Sequence, residues 1–96
     1  MSLYTVFPST RFKKDYKKFL KRKKELEAIQ STIRLLSQNG RNAIPQRMKP
    51  HTLIGNYKGA WECHIFPDLL LIWEQEDDPI NTIHLIRVGS HSELFS

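Results

Sequence analysis

Apolar residues in the first 40 positions follow two different periods, which predict one strand and two helices. Residues 3–8 (LYTVFP) combine β-branched and aromatic residues and stop at a proline, as a short first strand would. Farther along, apolar residues recur every three or four positions, the spacing of a helix that buries one side. Ser9 or Thr10 can cap the first helix, and Gly40 can end the second in a left-handed conformation. The predicted stripes are Phe12, Tyr16, Phe19 and Leu20 in the first helix, and Leu26, Ile29, Ile33 and Leu36 in the second.

The second half of the chain returns to the two-residue period of strands. Two prolines between positions 41 and 52 predict a loop, and a short strand is expected around Leu53 and Ile54. Turns of only a few residues separate the strands that follow, so neighbouring strands must be antiparallel. Those predicted strands are residues 60–66 (AWECHIF), 69–75 (LLLIWEQ) and 80–89 (INTIHLIRVG).

Alternation within these strands predicts which side chains share a surface. The LLLIW run is apolar at every position, which is typical of a central strand with both faces covered. In the predicted strand of residues 60–66, side chains alternate between the two faces of the sheet, and we expect the two helices to cover one of these two sets of side chains. These elements predict an α+β fold in one domain over residues 1–96, with a short N-terminal strand, two amphipathic helices and an antiparallel β-meander. The covered set is Trp61, Cys63 and Ile65, and the opposite set is Glu62, His64 and Phe66.

Positive and negative charge lie in different halves of the chain. Residues 1–50 contain 13 Lys and Arg against 3 acids, a net charge of +10, whereas residues 51–96 contain 2 against 7, a net charge of −5. Nine basic residues between positions 11 and 24 lie on the predicted helix surface, where their field would attract a polyanion such as RNA. The alternative is a solvated helix face that keeps a small protein soluble. The nine are Arg11, Lys13, Lys14, Lys17, Lys18, Lys21, Arg22, Lys23 and Lys24.

Composition argues against a membrane protein and against a disulfide-stabilised one. The longest apolar run, Leu69 to Trp73, is far shorter than the ~20 residues of a membrane-spanning helix. The first residues have neither the basic start nor the apolar centre of a signal peptide, and one cysteine cannot form an internal disulfide. We therefore expect a cytoplasmic protein without a membrane partner.

Four histidines in the second half of the chain are the main candidates for chemistry. Imidazole exchanges protons near neutral pH, so two histidines with an arginine suit RNA cleavage by a 2′-hydroxyl, which needs no metal. His64 could instead be a half-buried strand residue with one satisfied nitrogen, and His84 is expected to be structural. The spacings lack the paired Cys and His of a zinc site, so we predict neither a metal nor a cofactor. The histidines are His51, His64, His84 and His91.

Two segments in the second half of the chain contain recognisable motifs. The first is HTLIGNYKGAWECHIFPDLLLIWE, residues 51–74, which contains a G-x-(aromatic)-K-G turn and an H-(I/V)-x-P-D motif. The second is LIRVGSHSELF, residues 85–95, which contains the more specific R-x-G-(S/T)-H-(S/A)-x-L-F motif. Both segments resemble the YafQ branch of the RelE superfamily, bacterial type II toxins that are ribosome-dependent mRNA endonucleases. With the preceding strand and helices, the resemblance covers nearly the whole chain and implies a RelE-like fold.

The resemblance also implies a role for individual positions. His91 matches the principal acid or base, Arg87 matches the arginine that holds the scissile phosphate, and Phe95 matches the aromatic residue that positions a base. As a hypothesis, we assign His91 as the general acid and one of the two upstream histidines, with Asp68, as the base side. The implied catalytic residues are His51, His64, Asp68, Arg87, His91 and Phe95.

The resemblance implies partners as well. The basic residues between positions 11 and 24 would dock against ribosomal RNA, and the substrate would be mRNA on the ribosome. A cognate antitoxin would bind the cationic surface through an acidic tail that folds on binding. Operator DNA would be contacted only by the toxin–antitoxin complex.

Three other functions are compatible with parts of the sequence. A ParE-type toxin that inhibits gyrase would share the fold, but that branch does not share the histidine, aspartate and arginine set. A nucleic-acid-binding module would use only the basic surface and would tolerate loss of His91. A small metalloenzyme would lose activity in EDTA and regain it with zinc.

Overall fold

The computed structural model describes residues 3–95 and confirms the predicted α+β arrangement. Met1, Ser2 and Ser96 lie outside the described residues. Short 3₁₀ turns follow the second helix and precede the third strand. The elements are β1 (Thr5–Pro8), α1 (Thr10–Lys17), α2 (Lys23–Asn39), β2 (His51–Thr52), β3 (Trp61–Phe66), β4 (Leu69–Glu76), β5 (Thr82–Gly89) and α3 (His91–Phe95).

Five strands form one sheet in the order β1-β5-β4-β3-β2. The pairs from β2 to β5 are antiparallel, whereas β1 runs parallel to β5. Strand β4 lies at the centre, as its apolar sequence predicts. Leu71 and Trp73 face the main core, while Leu70 and Ile72 belong to a smaller cluster on the opposite face. Within residues 3–95, no helix combines the length and the apolar character needed to cross a membrane.

The ends of the two long helices show where local sequence controls the fold. Ser9 caps α1, because its Oγ accepts a hydrogen bond from the Phe12 N–H at 2.9 Å. Gly40 follows α2 with a φ of 60° and a ψ of −147°, so its φ is positive but it does not adopt the left-handed helical conformation that was predicted. A Cβ at this position would also lie 2.7 Å from Nε2 of Gln75, so a larger residue would displace the end of that side chain.

Helix α1 is shorter than its apolar spacing predicts. It ends at Lys17, and a turn carries the chain to α2. Phe19 is buried in this turn, but Leu20 is 56% exposed, so its assignment to the buried stripe is wrong. The basic residues therefore cover α1, the turn and the start of α2 rather than one continuous helix.

Two details of the β-meander also differ from the sequence prediction. The strand expected at Leu53 and Ile54 is displaced to β2, two residues earlier, and the Ile54 side chain is 88% exposed. The Leu53 N–H instead donates to the Ala60 carbonyl at 2.8 Å and closes the loop before β3. A register shift between His64 and Phe66 turns the Phe66 ring toward the main core, so its predicted face is wrong.

The core has two unequal parts. The larger part fills the space between the sheet and helices α1 and α2, with fully buried Ile29, Leu36 and Trp73. The smaller part lies on the other face of the sheet, where α3 contributes Leu94. Because α3 covers only a portion of this face, the side chains of His51 in β2 and His64 in β3 remain 45% and 25% exposed.

Candidate active site

Three histidines that are distant in sequence form a row beside α3. The ring centroids of His51 in β2 and His64 in β3 are 6.1 Å apart. The His64 ring lies 5.7 Å from that of His91 at the start of α3, with 65° between the planes. Antiparallel pairing of β2 with β3 brings the first two together, and the turn out of β5 brings the third. His84 stacks instead on Phe7, with centroids 5.5 Å apart.

Asp68 holds His91 by two contacts from the turn between β3 and β4. Its Oδ1 accepts a hydrogen bond from the His91 backbone N–H at 3.0 Å and lies 3.1 Å from Nδ1 of the same residue. The backbone hydrogen bond first, and the side-chain contact second, lower the pKa of Asp68 below its ordinary value. An ionised Asp68 favours a proton on Nδ1 of His91, which leaves Nε2 for proton exchange. The aspartate thus pairs with His91, not with His51 or His64 as hypothesised.

Glu62 lies beneath the other two histidines and is almost completely buried. Its Oε1 is 3.1 Å from Nε2 of His51 and 3.7 Å from Nε2 of His64, and its side chain is 4% exposed. Strand alternation predicts that Glu62 shares a face with His64, but it predicts no role for Glu62. One sequence signal could have identified Glu62. It is a charged residue between two apolar residues in a strand that packs inside the sheet, and a buried charge needs a partner.

Arg87 lies in a buried ion pair with Asp15 of α1. Its Nε donates to Oδ2 of Asp15 at 2.7 Å, and one terminal nitrogen donates to Oδ1 at 3.0 Å. The Val88 N–H adds a bond to the same carboxylate at 3.2 Å. The bonds to Asp15 raise the pKa of Arg87 above its ordinary value, against the effect of burial, and Tyr57 adds a smaller rise. Asp15 is therefore a site residue that the sequence did not reveal.

Phe95 and Arg87 meet at an open cavity of about 280 Å³ on the α3 side of the sheet. The Phe95 ring lies 6.2 Å from His91 and meets Tyr57 edge-on at 5.7 Å. The Tyr57 hydroxyl donates to the Leu94 carbonyl at 3.3 Å and so ties the loop before β3 to α3. The cavity is lined by Arg11, Ile54, Asn56, Tyr57, Arg87, Glu93, Leu94 and Phe95.

A capping box explains why the end of the chain forms helix α3. The Ser90 Oγ accepts from the Glu93 N–H at 3.3 Å, and the Glu93 Oε1 accepts from the Ser90 N–H at 2.9 Å. The latter bond is the main cause of the lowered pKa of Glu93. A Cβ at Gly89 would lie 2.8 Å from the same oxygen, so glycine permits this packing. The S-x-x-E spacing was visible in the sequence, although the tail was not predicted to be helical.

The nine basic residues are all exposed, and some of them reach the edge of the histidine region. The Lys18 ammonium lies 3.5 Å from Oε2 of Glu93 in α3. The Lys24 ammonium lies 5.5 Å from the centre of the Phe66 ring, two residues beyond His64. Arg22 and Asp68 line the same cavity of about 210 Å³. A cationic surface therefore adjoins the row of histidines.

The remaining ionisable groups do not suggest other chemistry. Burial, with the nearby Glu62 carboxylate second, raises the pKa of the Cys63 thiol to about 12, so this cysteine is not a nucleophile near neutral pH. Within residues 3–95, no three His, Cys, Asp or Glu side chains are arranged to hold a metal ion.

Known proteins resemble this chain in both sequence and fold. A family model described as "Bacterial toxin of type II toxin-antitoxin system, YafQ" matches residues 4–96. The mRNA interferase toxin YafQ of Escherichia coli K12 is 32% identical over 87 residues, 91% of this chain and 90% of that protein. A metal-bound toxin from Helicobacter pylori has a TM-score of 0.81 and 35% identity, and the match covers 97% of this chain and 100% of that one. A chain of the E. coli DinJ–YafQ complex has a TM-score of 0.78 and 30% identity, and the match covers 97% of this chain and 99% of that one. These matches are RelE-like in fold, and the chain belongs to the YafQ family of bacterial toxins from type II toxin–antitoxin systems.

Proposed function

We propose that this chain is an endoribonuclease, the toxin of a type II toxin–antitoxin system, and that it cleaves mRNA in the ribosomal A site without a metal ion. The observation that carries the proposal is the row of three imidazoles, with centroids 6.1 and 5.7 Å apart, one of which is held by Asp68. The E. coli relative is named an mRNA interferase toxin, which supports the same class of substrate. The cleavage inhibits translation because the message is destroyed.

The reaction needs two proton transfers on opposite sides of a phosphate. The 2′-oxygen attacks the adjacent phosphorus as a histidine removes its proton, and the P–O5′ bond breaks as a second histidine protonates the leaving oxygen. A 2′,3′-cyclic phosphate and a 5′-hydroxyl result. His91, with Nδ1 held by Asp68, acts as the acid through Nε2, and one of the neighbouring pair His51 and His64 acts as the base. An acid and a base on different rings suit an in-line displacement.

Arg87 and Phe95 supply the groups that recognise the substrate. Arg87 keeps its positive charge because Asp15 raises its pKa, and the guanidinium lines the same cavity as the Phe95 ring. The arginine offsets charge that develops on the phosphate, and the ring positions a neighbouring base. Asp15 accepts hydrogen bonds from two of the five N–H donors of Arg87. A phosphate in this cavity would therefore be bound by the other donors.

Two macromolecular partners are part of the proposal. The nine exposed basic residues dock against ribosomal RNA and direct the histidines toward the message. A cognate antitoxin neutralises the toxin, as the E. coli DinJ–YafQ complex suggests for this family. We expect this chain to contact operator DNA only through its cognate antitoxin, within the toxin–antitoxin complex.

A reconstituted translation system with primer extension tests this function. We expect cuts within codons at the A site, no cuts in naked mRNA, and a rate about 10² to 10⁴ times lower for His91→Ala, because one proton transfer is lost. His84→Ala is the matched control, since His84 stacks on Phe7 away from the row. In a further reaction, the toxin alone is treated with EDTA and the chelator is removed before the ribosomes are added, because ribosomes themselves need magnesium. Cleavage is expected to continue.

Three outcomes would count against the proposal. Intact mRNA on active ribosomes would exclude the nuclease. Cleavage that persists in His91→Ala would assign the chemistry elsewhere. Loss of activity after EDTA treatment of the toxin alone, with recovery when zinc is added to it, would indicate a metal-dependent reaction.

A further inference from the structure

Both ring nitrogens of His51 are already engaged within the protein. Its Nδ1 lies 2.7 Å from the Lys49 carbonyl, which can only accept, so Nδ1 carries a proton. Its Nε2 lies 3.1 Å from Oε1 of Glu62, a carboxylate whose side chain is 4% exposed. No nitrogen of His51 is therefore free to take a proton from the substrate unless one of these contacts breaks.

Glu62 is shared between two histidines. The same Oε1 lies 3.1 Å from Nε2 of His51 and 3.7 Å from Nε2 of His64, while Oε2 is buried without a hydrogen-bond partner among residues 3–95. One oxygen that faces two imidazole nitrogens acts as the acceptor, because a protonated oxygen could donate to only one of them. A buried carboxylate also requires a counter-charge, and an imidazolium at His51 supplies it.

The position of Glu62 also bears on which nitrogen of His64 carries its proton. If its Nε2 carries a proton directed at Glu62, the tautomer leaves Nδ1 unprotonated, and no hydrogen bond joins Nδ1 to any side chain or carbonyl within residues 3–95. His64 also lies between His51 and His91 and lines the cavity of about 470 Å³ that includes Arg47 and Lys49. The distance of 3.7 Å is long for a hydrogen bond, and such contacts commonly tighten when substrate binds.

We propose that Glu62 is a positioning residue that fixes the protons of both histidines and thereby makes His64, through Nδ1, the base of the reaction. This inference rests on the proposed nuclease function. The Glu62 carboxylate keeps His51 as an imidazolium and orients the His64 ring, and it stabilises the positive charge that His64 gains from the 2′-hydroxyl. The same logic assigns an orienting role to the buried acid in other acid–histidine arrangements.

Several charged or titratable groups surround this carboxylate and must be considered with it. They are His51 and Lys49 at β2, Cys63 and His64 in β3, Arg47 beside His64, and His91 in α3. Among the basic side chains of residues 3–95, only the imidazoles of His51 and His64 place a nitrogen within 4 Å of a Glu62 carboxylate oxygen, at 3.1 and 3.7 Å.

Imidazole ¹⁵N NMR of the free wild-type protein near neutral pH tests the assignment directly. The expected spectrum shows both nitrogens of His51 protonated and His64 in the Nε2–H tautomer, with His84 as an internal reference. An unprotonated Nε2 on His51, or an Nδ1–H tautomer of His64, would overturn the proposal. This measurement needs no variant and no RNA.

Cleavage kinetics of Glu62 variants provide a second test of the proposal. Glu62→Gln keeps the size of the side chain and removes the charge, so the saturated rate of single-turnover cleavage should fall about ten- to a hundredfold, as for other residues that orient an active group. The mRNA concentration at half-saturation should change little. His51 should lose its Nε2 proton, whereas Glu62→Asp should retain that proton and recover part of the rate. Glu74→Gln, an exposed acid on β4, is the matched control.

The two arms distinguish failure of this inference from failure of the proposed function. A wild-type rate in Glu62→Gln would refute the positioning role even if the nuclease activity is real. Absence of cleavage by the wild-type protein would refute the nuclease function, while the NMR arm would still decide where Glu62 places the protons. If Glu62→Gln does not fold, the wild-type spectrum and Glu62→Asp decide the question.

Discussion

Two aspartates hold two of the predicted catalytic residues, and they do so in opposite environments. Asp15 pairs with Arg87 at 2.7 Å, and the two side chains are only 5% and 8% exposed. Asp68 pairs with His91 at 3.1 Å, and these side chains are 70% and 55% exposed. Each pair joins the end of the chain to a distant element, α1 in one case and the β3–β4 turn in the other.

The difference separates what holds the fold from what carries out chemistry. A buried pair fixes two elements rigidly, because either charge left alone would be very costly. An exposed pair contributes little to stability but determines which nitrogen of a histidine carries its proton. We therefore expect the first pair to appear in unfolding experiments and the second in kinetics.

The largest expected effect is on stability, from Asp15→Ala. The substitution leaves the Arg87 guanidinium buried without its partner, and the free energy of unfolding in urea should fall by about 3–5 kcal/mol. The double variant Asp15→Ala/Arg87→Leu is the matched control, since it removes both charges and should recover much of the loss. A decrease below about 1 kcal/mol would mean that the pair behaves like a surface contact.

A smaller effect, on rate alone, is expected from Asp68→Ala. Without the carboxylate, the His91 ring can rotate and exchange tautomers, so cleavage should slow by about 10²-fold, the lower end of a general acid–base contribution. The urea midpoint should stay nearly unchanged because both side chains are exposed. Asp68→Asn keeps an oxygen acceptor and should be intermediate, and Asp78→Ala is a control in an exposed turn. A large stability loss in Asp68→Ala would remove the distinction between the two pairs.

The contrast also explains how much the sequence could reveal. Period and turn residues were sufficient for most of the elements and for the central position of β4, because these depend on neighbours along the chain. The Asp15–Arg87 contact spans 72 positions and depends on the parallel pairing of β1 with β5, which places α1 beside β5. No local pattern encodes that pairing.

The histidine row was predictable only as a set of residues. The motifs identified its members, but the partner of Asp68 depends on where α3 places His91. The burial of the Glu62 side chain depends on the short strand β2, which lies two residues earlier than predicted. The early end of α1 shows the same limit, since Phe19 is buried by tertiary packing outside any helix.

The smallest expected effect is the response of the two pairs to acid. Hydrogen bonds to His91 lower the pKa of Asp68, so this carboxylate stabilises the fold above the unfolded value of about 4. That stability is lost as the pH falls through the folded pKa of Asp68. The pKa of Arg87 is raised, so its charge is constant over this range.

Unfolding of the wild-type protein and Asp68→Ala should therefore be compared from about pH 6 to pH 3. The small difference between the two proteins should shrink toward the acid end, and added salt should weaken it further because both side chains are exposed. A difference that grows as the pH falls below about 4, where the carboxylate itself titrates, would have the wrong sign for a carboxylate whose pKa is lowered by folding. It would show that the contact with His91 stabilises the protonated acid and that His91 is not held in the tautomer inferred from the structure.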